Sequence, residues 1–306
     1  MISLILAKKI LSLFLVMALG IVLVRCGIVR SQDSKVLSMI SLYLVMPCVI
    51  ISSFQVEYQP EILNGLLLAL AASALLHLVL IVVVGFLGKV LKLDGVEETS
   101  LIYSNAGNLI IPIVTAILGK EWVIYTSAFL SVQLFLLWSH AKMKLCGEKG
   151  IDLKKILTNI NMIAIFAGVL LFLLRIQLPA PVQDAVDSIS SMVGPMGMLI
   201  LGMLIAEMDL KKLLSYHRLW WITLRLVGIP LIGIVLLKYS SLAALVPEGR
   251  TILLVTLLAI CTPSASTLTQ MAQVYGKDAD YASAINVVTT LLCIVTMPLM
   301  VALYQM

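Results

Sequence analysis

Charge is scarce in this chain. Of its 306 residues, 12% are Asp, Glu, Lys or Arg and three are His. A soluble domain carries roughly twice that charged fraction. Apolar residues make up 61%, and the mean hydropathy is +1.10. That composition excludes an ordinary soluble globule and leaves an integral membrane protein with almost no soluble part. Cys26, Cys48, Cys146, Cys261 and Cys293 are scattered, with no CxxC pair and no His at ligand spacing. Neither a metal site nor a disulfide frame is expected. There is no glycine loop of the Walker type, which argues against an ATP-driven pump. No HExxH helix, paired Asp dyad or Ser/His pair at matched depth is evident, so an intramembrane enzyme lacks its chemistry and no cofactor is called for. Acidic residues are missing from the depth of every span, so no carboxylate relay for protons or sodium is visible.

What is present is a series of long apolar runs. Ten of them are long enough to span a bilayer core of about 30 Å. They lie near 3–24, 34–54, 63–87, 98–119, 121–143, 156–176, 183–206, 219–238, 251–275 and 280–304. The first contains Lys8 and Lys9 ahead of an apolar stretch, as a signal peptide would. No small-x-small cleavage site follows, so an uncleaved first helix is expected. The connections are short and leave no room for a nucleotide-binding domain.

Basic residues orient the spans. One set of alternate loops holds 15 Lys and Arg, among them Arg25, Arg30, Lys89, Lys144, Lys154, Lys211 and Arg225. The other holds 6: Lys8, Lys9, Lys120, Arg175, Lys238 and Arg250. The rich side is cytoplasmic, which puts both termini outside a cytoplasmic membrane. Five spans per half is an odd number, so the halves are inverted relative to each other. This predicts a first repeat at 1–145, a cytoplasmic connection at 146–155 and a second repeat at 156–306. A duplicated block supports the division. Gly119-Lys120-Glu121 followed by Tyr125-Thr126-Ser127-Ala128 is echoed by Gly276-Lys277-Asp278 followed by Tyr281-Ala282-Ser283-Ala284. Pro47 and Pro195 also sit mid-span in the second helix of each half.

The fourth and ninth spans are interrupted. One contains Ser104-Asn105-Ala106-Gly107-Asn108-Leu109-Ile110-Ile111-Pro112, the other Cys261-Thr262-Pro263-Ser264-Ala265-Ser266. A bilayer tolerates such breaks only where protein or a water-filled cavity satisfies the freed backbone groups. Breaks at corresponding places in two halves point to a transporter's substrate site. Thr262 is expected as an N-cap and Pro263 as the first residue of a restarted half-helix. Pro112 is expected to restart the other, with Asn105, Gly107 and Asn108 unwound before it. Such N-termini carry about +0.5 charge and can hold a carboxylate. Neither break contains a basic side chain, so helix termini and the neutral groups of Asn105, Asn108, Thr262, Ser264, Ser266 and Thr267 would do the holding. Gln133 and Gln270 are candidates to line the same cavity. The plain alternative is two proline kinks with Ser and Thr bonded to their own helices.

At these residues the chain resembles the auxin efflux carrier family of membrane transporters. That family includes the plant PIN-formed auxin carriers and bacterial proteins described as malate or malonate permeases. The resemblance rests on Asn105 with Pro112 seven residues on, on Pro263 with Ala272 and Tyr275, on Val193 to Met203, and on Leu44-Val45-Met46-Pro47. It covers the whole chain. It implies an all-α membrane fold related to the bile-acid/sodium symporters, with a scaffold domain and a transport domain whose broken helices cross near the midplane. It also suggests a homodimer. The connection at about 144–155 is short where many plant members have a long one, which favours a prokaryotic-type member.

Five residues, His77, Gln133, Glu207, Arg225 and Gln270, are candidates for coupling or gating. His77, mid-way along the third span, suits proton coupling. The plainer reading is a neutral imidazole bonded to a carbonyl of a neighbouring helix. Glu207, with Asp209, closes the seventh span and either binds a cation at the cavity mouth or merely ends the helix. Arg225 is two turns into the eighth span. It either snorkels to the cytoplasmic surface or attracts an anion. Gln133 and Gln270 complete the set. The function expected is a secondary transporter of a small organic anion, with the lipid bilayer as its other partner and no nucleic acid. A sodium- or proton-coupled symporter and a ligand sensor on a transporter fold are the alternatives.

Overall fold

The computed structural model describes residues 2–147, 154, 157–207 and 223–306. All regular elements among them are helical, as hydrocarbon demands of a chain that must satisfy its own backbone. The first half contains α1 (Ile2–Arg25), α2 (Ser34–Ile40), α3 (Met46–Ser53) and α4 (Pro60–Leu91), then α5 (Gly95–Ile102), α6 (Ala106–Ile117), α7 (Val123–Leu136) and α8 (Lys142–Cys146). The second contains α9 (Ile160–Leu173), α10 (Ala180–Ser190), α11 (Val193–Ala206), α12 (Ile229–Tyr239), α13 (Gly249–Cys261), α14 (Ser266–Val274) and α15 (Ala279–Gln305).

Local chemistry sets several boundaries. The Asp94 carboxylate accepts from the Glu97 N–H at 2.8 Å, and Glu97 accepts from the Asp94 N–H at 2.9 Å, a reciprocal cap that starts α5. Asp278 starts α15 by accepting from the Tyr281 N–H at 2.9 Å. Three π-turns lie at Ser41–Val45, Leu137–Ala141 and Leu224–Gly228. The first and third precede Pro47 and Pro230. A proline ring displaces the carbonyl four residues back, and a widened turn absorbs the displacement. Pro298 likewise falls four residues after the 55° bend between Tyr281–Cys293 and Val295–Gln305.

Among the described residues, four helical stretches are long and apolar enough to cross a membrane. They are Ser31–Ser53, Pro60–Leu91, Lys120–Leu145 and Ala180–Ala206, and the bent pair in α15 makes a fifth. The runs expected at 98–119 and 251–275 are not single rods. Each is divided into two helices, α5 with α6 and α13 with α14.

The helices pack in two groups. In one, α1 lies along α11, and α3 packs against α9 and α10. The backbones of α1 and α11 touch: a Cβ on Gly202 would collide with the Met17 carbonyl, and one on Gly20 would come 2.5 Å from the Leu199 carbonyl. In the other group, α4 packs on α7 and α13, α12 on α13, and α14 on α15. Leu76, Leu80, Leu101, Ile110, Phe129, Leu253 and Leu257 fill the space between these elements and are fully buried. Leu15, Val82, Phe86, Leu170, Val235 and Leu299 face outward. An apolar exterior of this kind marks a membrane-contacting surface.

Candidate functional site, a crossing of two broken helices

The two interruptions meet. Ser104 and Ser264 form an isolated antiparallel bridge between the segment linking α5 to α6 and the segment linking α13 to α14. The Asn105 N–H donates to the Pro263 carbonyl at 2.8 Å, and the Ala265 N–H donates to the Tyr103 carbonyl at 3.1 Å. In such a pair the backbone groups of the two facing residues point away from each other. Ser104 and Ser264 would therefore each leave an N–H and a C=O orphaned in a dry interior.

Side chains from two long helices take these groups up. Gln133 on α7 accepts from the Ser104 N–H at 3.0 Å and from its hydroxyl at 2.7 Å, and donates to its carbonyl at 2.8 Å. On α15, Thr289 accepts from the Ser264 N–H at 3.2 Å, and Asn286 donates to the Ser264 carbonyl at 2.6 Å. Every backbone group of the bridge is thus paired. This is the condition under which irregular backbone survives at membrane depth.

The crossing brings four half-helix ends together. The C-terminal ends of α5 and α13 share one cation. Arg225, in the π-turn before α12, donates to the carbonyls of Thr262 at 2.8 Å, Pro263 at 3.3 Å and Leu101 at 3.4 Å. Its side chain is wholly buried. At the N-terminal ends of α6 and α14, the Ser266 hydroxyl donates to the Asn105 side-chain carbonyl at 3.2 Å. Asn105 precedes α6 without capping it by its side chain. The partly negative ends are therefore already matched by a cation, and the partly positive ends are left together beside neutral polar groups.

The family model described as membrane transport protein matches residues 5–150 and 148–301. The chain belongs to this family, that of the auxin efflux carriers. No curated protein matches it. Family membership makes the chain a membrane transporter, and its crossing is the feature built from the residues that carried the resemblance.

The crossing differs from expectation in detail. Thr262 is not an N-cap. It ends α13 in an extended conformation, φ −67° and ψ 160°, and its hydroxyl donates to the Ala259 carbonyl at 2.8 Å. Pro263 does not open a helix either, because α14 begins at Ser266. A residue before proline is pushed out of the helical region, and the backbone of Pro263 is engaged with Asn105. In the first break, α6 begins at Ala106 and runs on through Pro112, so Gly107 and Asn108 are helical rather than unwound and Pro112 restarts nothing. The unwound residues are Tyr103, Ser104 and Asn105. The side chains of Asn108, Pro112 and Gln270 lie outside the described residues, as does Asp209.

Arg225 does not snorkel to the surface, because its guanidinium finds three carbonyl acceptors inside the protein. Neither break itself contains a basic side chain, but Arg225 brings one to the carbonyl ends of both. His77 is fully buried. Its Nδ1 lies 2.8 Å from the Ser73 carbonyl of its own helix, not of a neighbour, and its Nε2 has no hydrogen-bond partner among the described residues. Its ring packs at a tilt against Phe129, with ring centroids 4.9 Å apart. Glu207 is exposed at the end of α11, where it accepts from the Ser31 N–H at 3.3 Å, away from the crossing. Two acids at the start of α5 are nonetheless buried, at the end of the run and not in its depth. Glu97, in the first turn of α5, is buried and accepts from the Tyr281 hydroxyl at 2.8 Å. Its neighbour Glu98 pairs with Lys144 at 2.5 Å. Their partners, Tyr281 and Lys144, lie far from them in the chain, and hydropathy alone does not reveal them.

Of the residues that meet at the crossing, sequence reasoning named Asn105, Gln133, Ser264 and Ser266 but not Asn286 and Thr289. A signal existed. Gln133 and Thr289 each stand eight residues beyond the tyrosine of the duplicated block, Tyr125 and Tyr281. Reading the echo further along α7 and α15 would have paired them.

Proposed function

We propose that the chain is a secondary transporter of a small organic anion, a carboxylate, working by alternating access. The anion is held where the N-terminal ends of α6 and α14 meet, between Asn105 and Ser266, with the backbone of Gly107 in the first turn of α6. The observation that carries this reading is the polarity of the crossing. Its C-terminal ends are neutralised by Arg225, while its N-terminal ends lie side by side at the Ser266–Asn105 contact. Two such ends present about one positive charge in sum, the complement of one carboxylate.

The rest of the architecture supports ten spans in two inverted repeats. The first helix of each half packs on the second of the other: α1 lies on α11, and α9 on α3. This reciprocity is what a two-fold axis in the membrane plane produces. In this reading α1, α2 with α3, α9, and α10 with α11 form the scaffold. The remaining helices carry the crossing and move against it. The asymmetry of the basic loops supports a cytoplasmic connection between halves and external termini.

The test is flux in proteoliposomes of the purified chain, using labelled malate, malonate and indole-3-acetate. Counterflow of at least one of them, lost in Asn105→Ala, is the expected result. Undiminished counterflow by a well-folded Asn105→Ala variant would rule out this site. Specific binding of an anion without flux would favour the sensor.

A further inference from the structure

We propose that Arg225 is a tethered cation, standing where a transporter of this build would otherwise bind an ion from solution. Unwound carbonyls and the C-terminal ends of half-helices are the groups with which broken-helix transporters coordinate a coupling cation. Here three such carbonyls, from Leu101, Thr262 and Pro263, converge on one guanidinium. They come from both broken helices, more than 150 residues apart in sequence. A single side chain from a third helix therefore joins the two interruptions.

The chemistry of the contact is that of a cation on oxygen dipoles rather than of an ion pair. Arg225 has no carboxylate partner among the described residues. Its Nε has no partner either, although the side chain is 0% exposed. A buried charge with no counter-ion is tolerated only where something else carries the opposite sign. Two helix C-termini at about −0.5 each supply one negative charge in total. The match is one to one, and it leaves no net charge for a sodium ion to neutralise. The π-turn at Leu224–Gly228 sets the direction of the side chain, since Arg225 lies inside it. The charge that assembles the crossing is thus built into the fold and is present at any sodium concentration. Its consequence for transport rests on the crossing being the substrate site; its role in holding the crossing does not.

The test uses thermal unfolding of the purified full-length chain in detergent, with no substrate. The wild-type melting temperature is expected to be the same in sodium chloride and in choline chloride of equal ionic strength. Arg225→Ala is expected to melt lower by roughly 10 °C. Guanidinium chloride, kept well below denaturing concentration, should return much of that loss to the variant and give the wild type none. Arg225→Lys should stay closer to wild type than Arg225→Met, which keeps length without charge. The proposal is overturned if sodium specifically stabilises the wild type, if guanidinium does not help Arg225→Ala, or if Met serves as well as Lys. Should Arg225→Ala fail to fold, the comparison of Lys with Met decides alone. Where flux is found for one of the anions above, replacing external sodium by choline should leave its rate unchanged. Because the melting experiments need no substrate, failure of the anion-transport reading and failure of this one are separable.

Discussion

The two interruptions solve one problem with different residues. At the first, a single glutamine, Gln133, both accepts from the Ser104 N–H and donates to its carbonyl. At the second the work is divided, Thr289 taking the Ser264 N–H and Asn286 its carbonyl. The backbone is symmetric at the bridge while the side chains that satisfy it are not. What the fold requires is one acceptor and one donor at each serine, not a particular amino acid. A long amide that spans both groups and a pair one turn apart on a helix are equivalent answers. The inequality lies in redundancy, because one substitution empties the first arrangement and two are needed to empty the second.

Breaking the arrangement at its least redundant point gives the largest expected effect. Gln133→Leu strands both backbone groups of Ser104. At about 1–3 kcal/mol for each unsatisfied buried group, it should destabilise the protein by about 3 kcal/mol or more and abolish transport. Thermal unfolding in detergent and proteoliposome flux measure the two losses. Asn105→Ala comes next and separates site from scaffold. Its N–H still reaches the Pro263 carbonyl, while the side-chain contact with Ser266 goes. Flux should vanish while stability falls by only about 1 kcal/mol. A loss of folding as large as that of Gln133→Leu would show that Asn105 is scaffold. Asn286→Leu strands one carbonyl and should cost about 2 kcal/mol, with the N–H of Ser264 still held by Thr289. Thr289→Val, nearly isosteric, should cost least, about 1 kcal/mol. If the double variant at 286 and 289 matches Gln133→Leu in melting temperature, the two halves are equivalent. If it is much milder, the bridge depends mainly on the first.

Legibility in the sequence followed the range of the forces involved. The membrane class, the apolar runs and the two interruptions depend on composition and on residues close in the chain, so they were readable directly. So was Asn105 as a residue of the first break, because a polar break in an apolar span already marks an exception. The exact limits of the breaks were not. Pro263 alone suggests a helix start, but its carbonyl is claimed by Asn105 from the other half, and α14 begins three residues later. Pro112 likewise suggests a restart, yet the break had already been made at Tyr103 to Asn105, where the other strand of the bridge lies. Glu97 and Glu98 stand at the edge of an apolar run, where nothing local marks them as buried. Their burial follows from Tyr281 and Lys144, which no local pattern brings near.

By itself the sequence determined that this protein lives in a bilayer, that it consists of apolar helices, and that two of those helices are broken at matching places. Hydrocarbon enforces these outcomes on any chain of this composition, because every backbone group must be paired within the protein. Only the tertiary structure decided what the breaks pair with. The bridge between Ser104 and Ser264, the side chains of Gln133, Asn286 and Thr289 that complete it, and the place of Arg225 are all contacts across long chain separations. Hydrogen bonds have direction and short reach, so the residue that satisfies a given carbonyl is settled by packing and not by pattern. Arg225 shows the difference most plainly. As a letter in the eighth span it is a charge in search of water, and in the fold it is the cation on which both broken helices end.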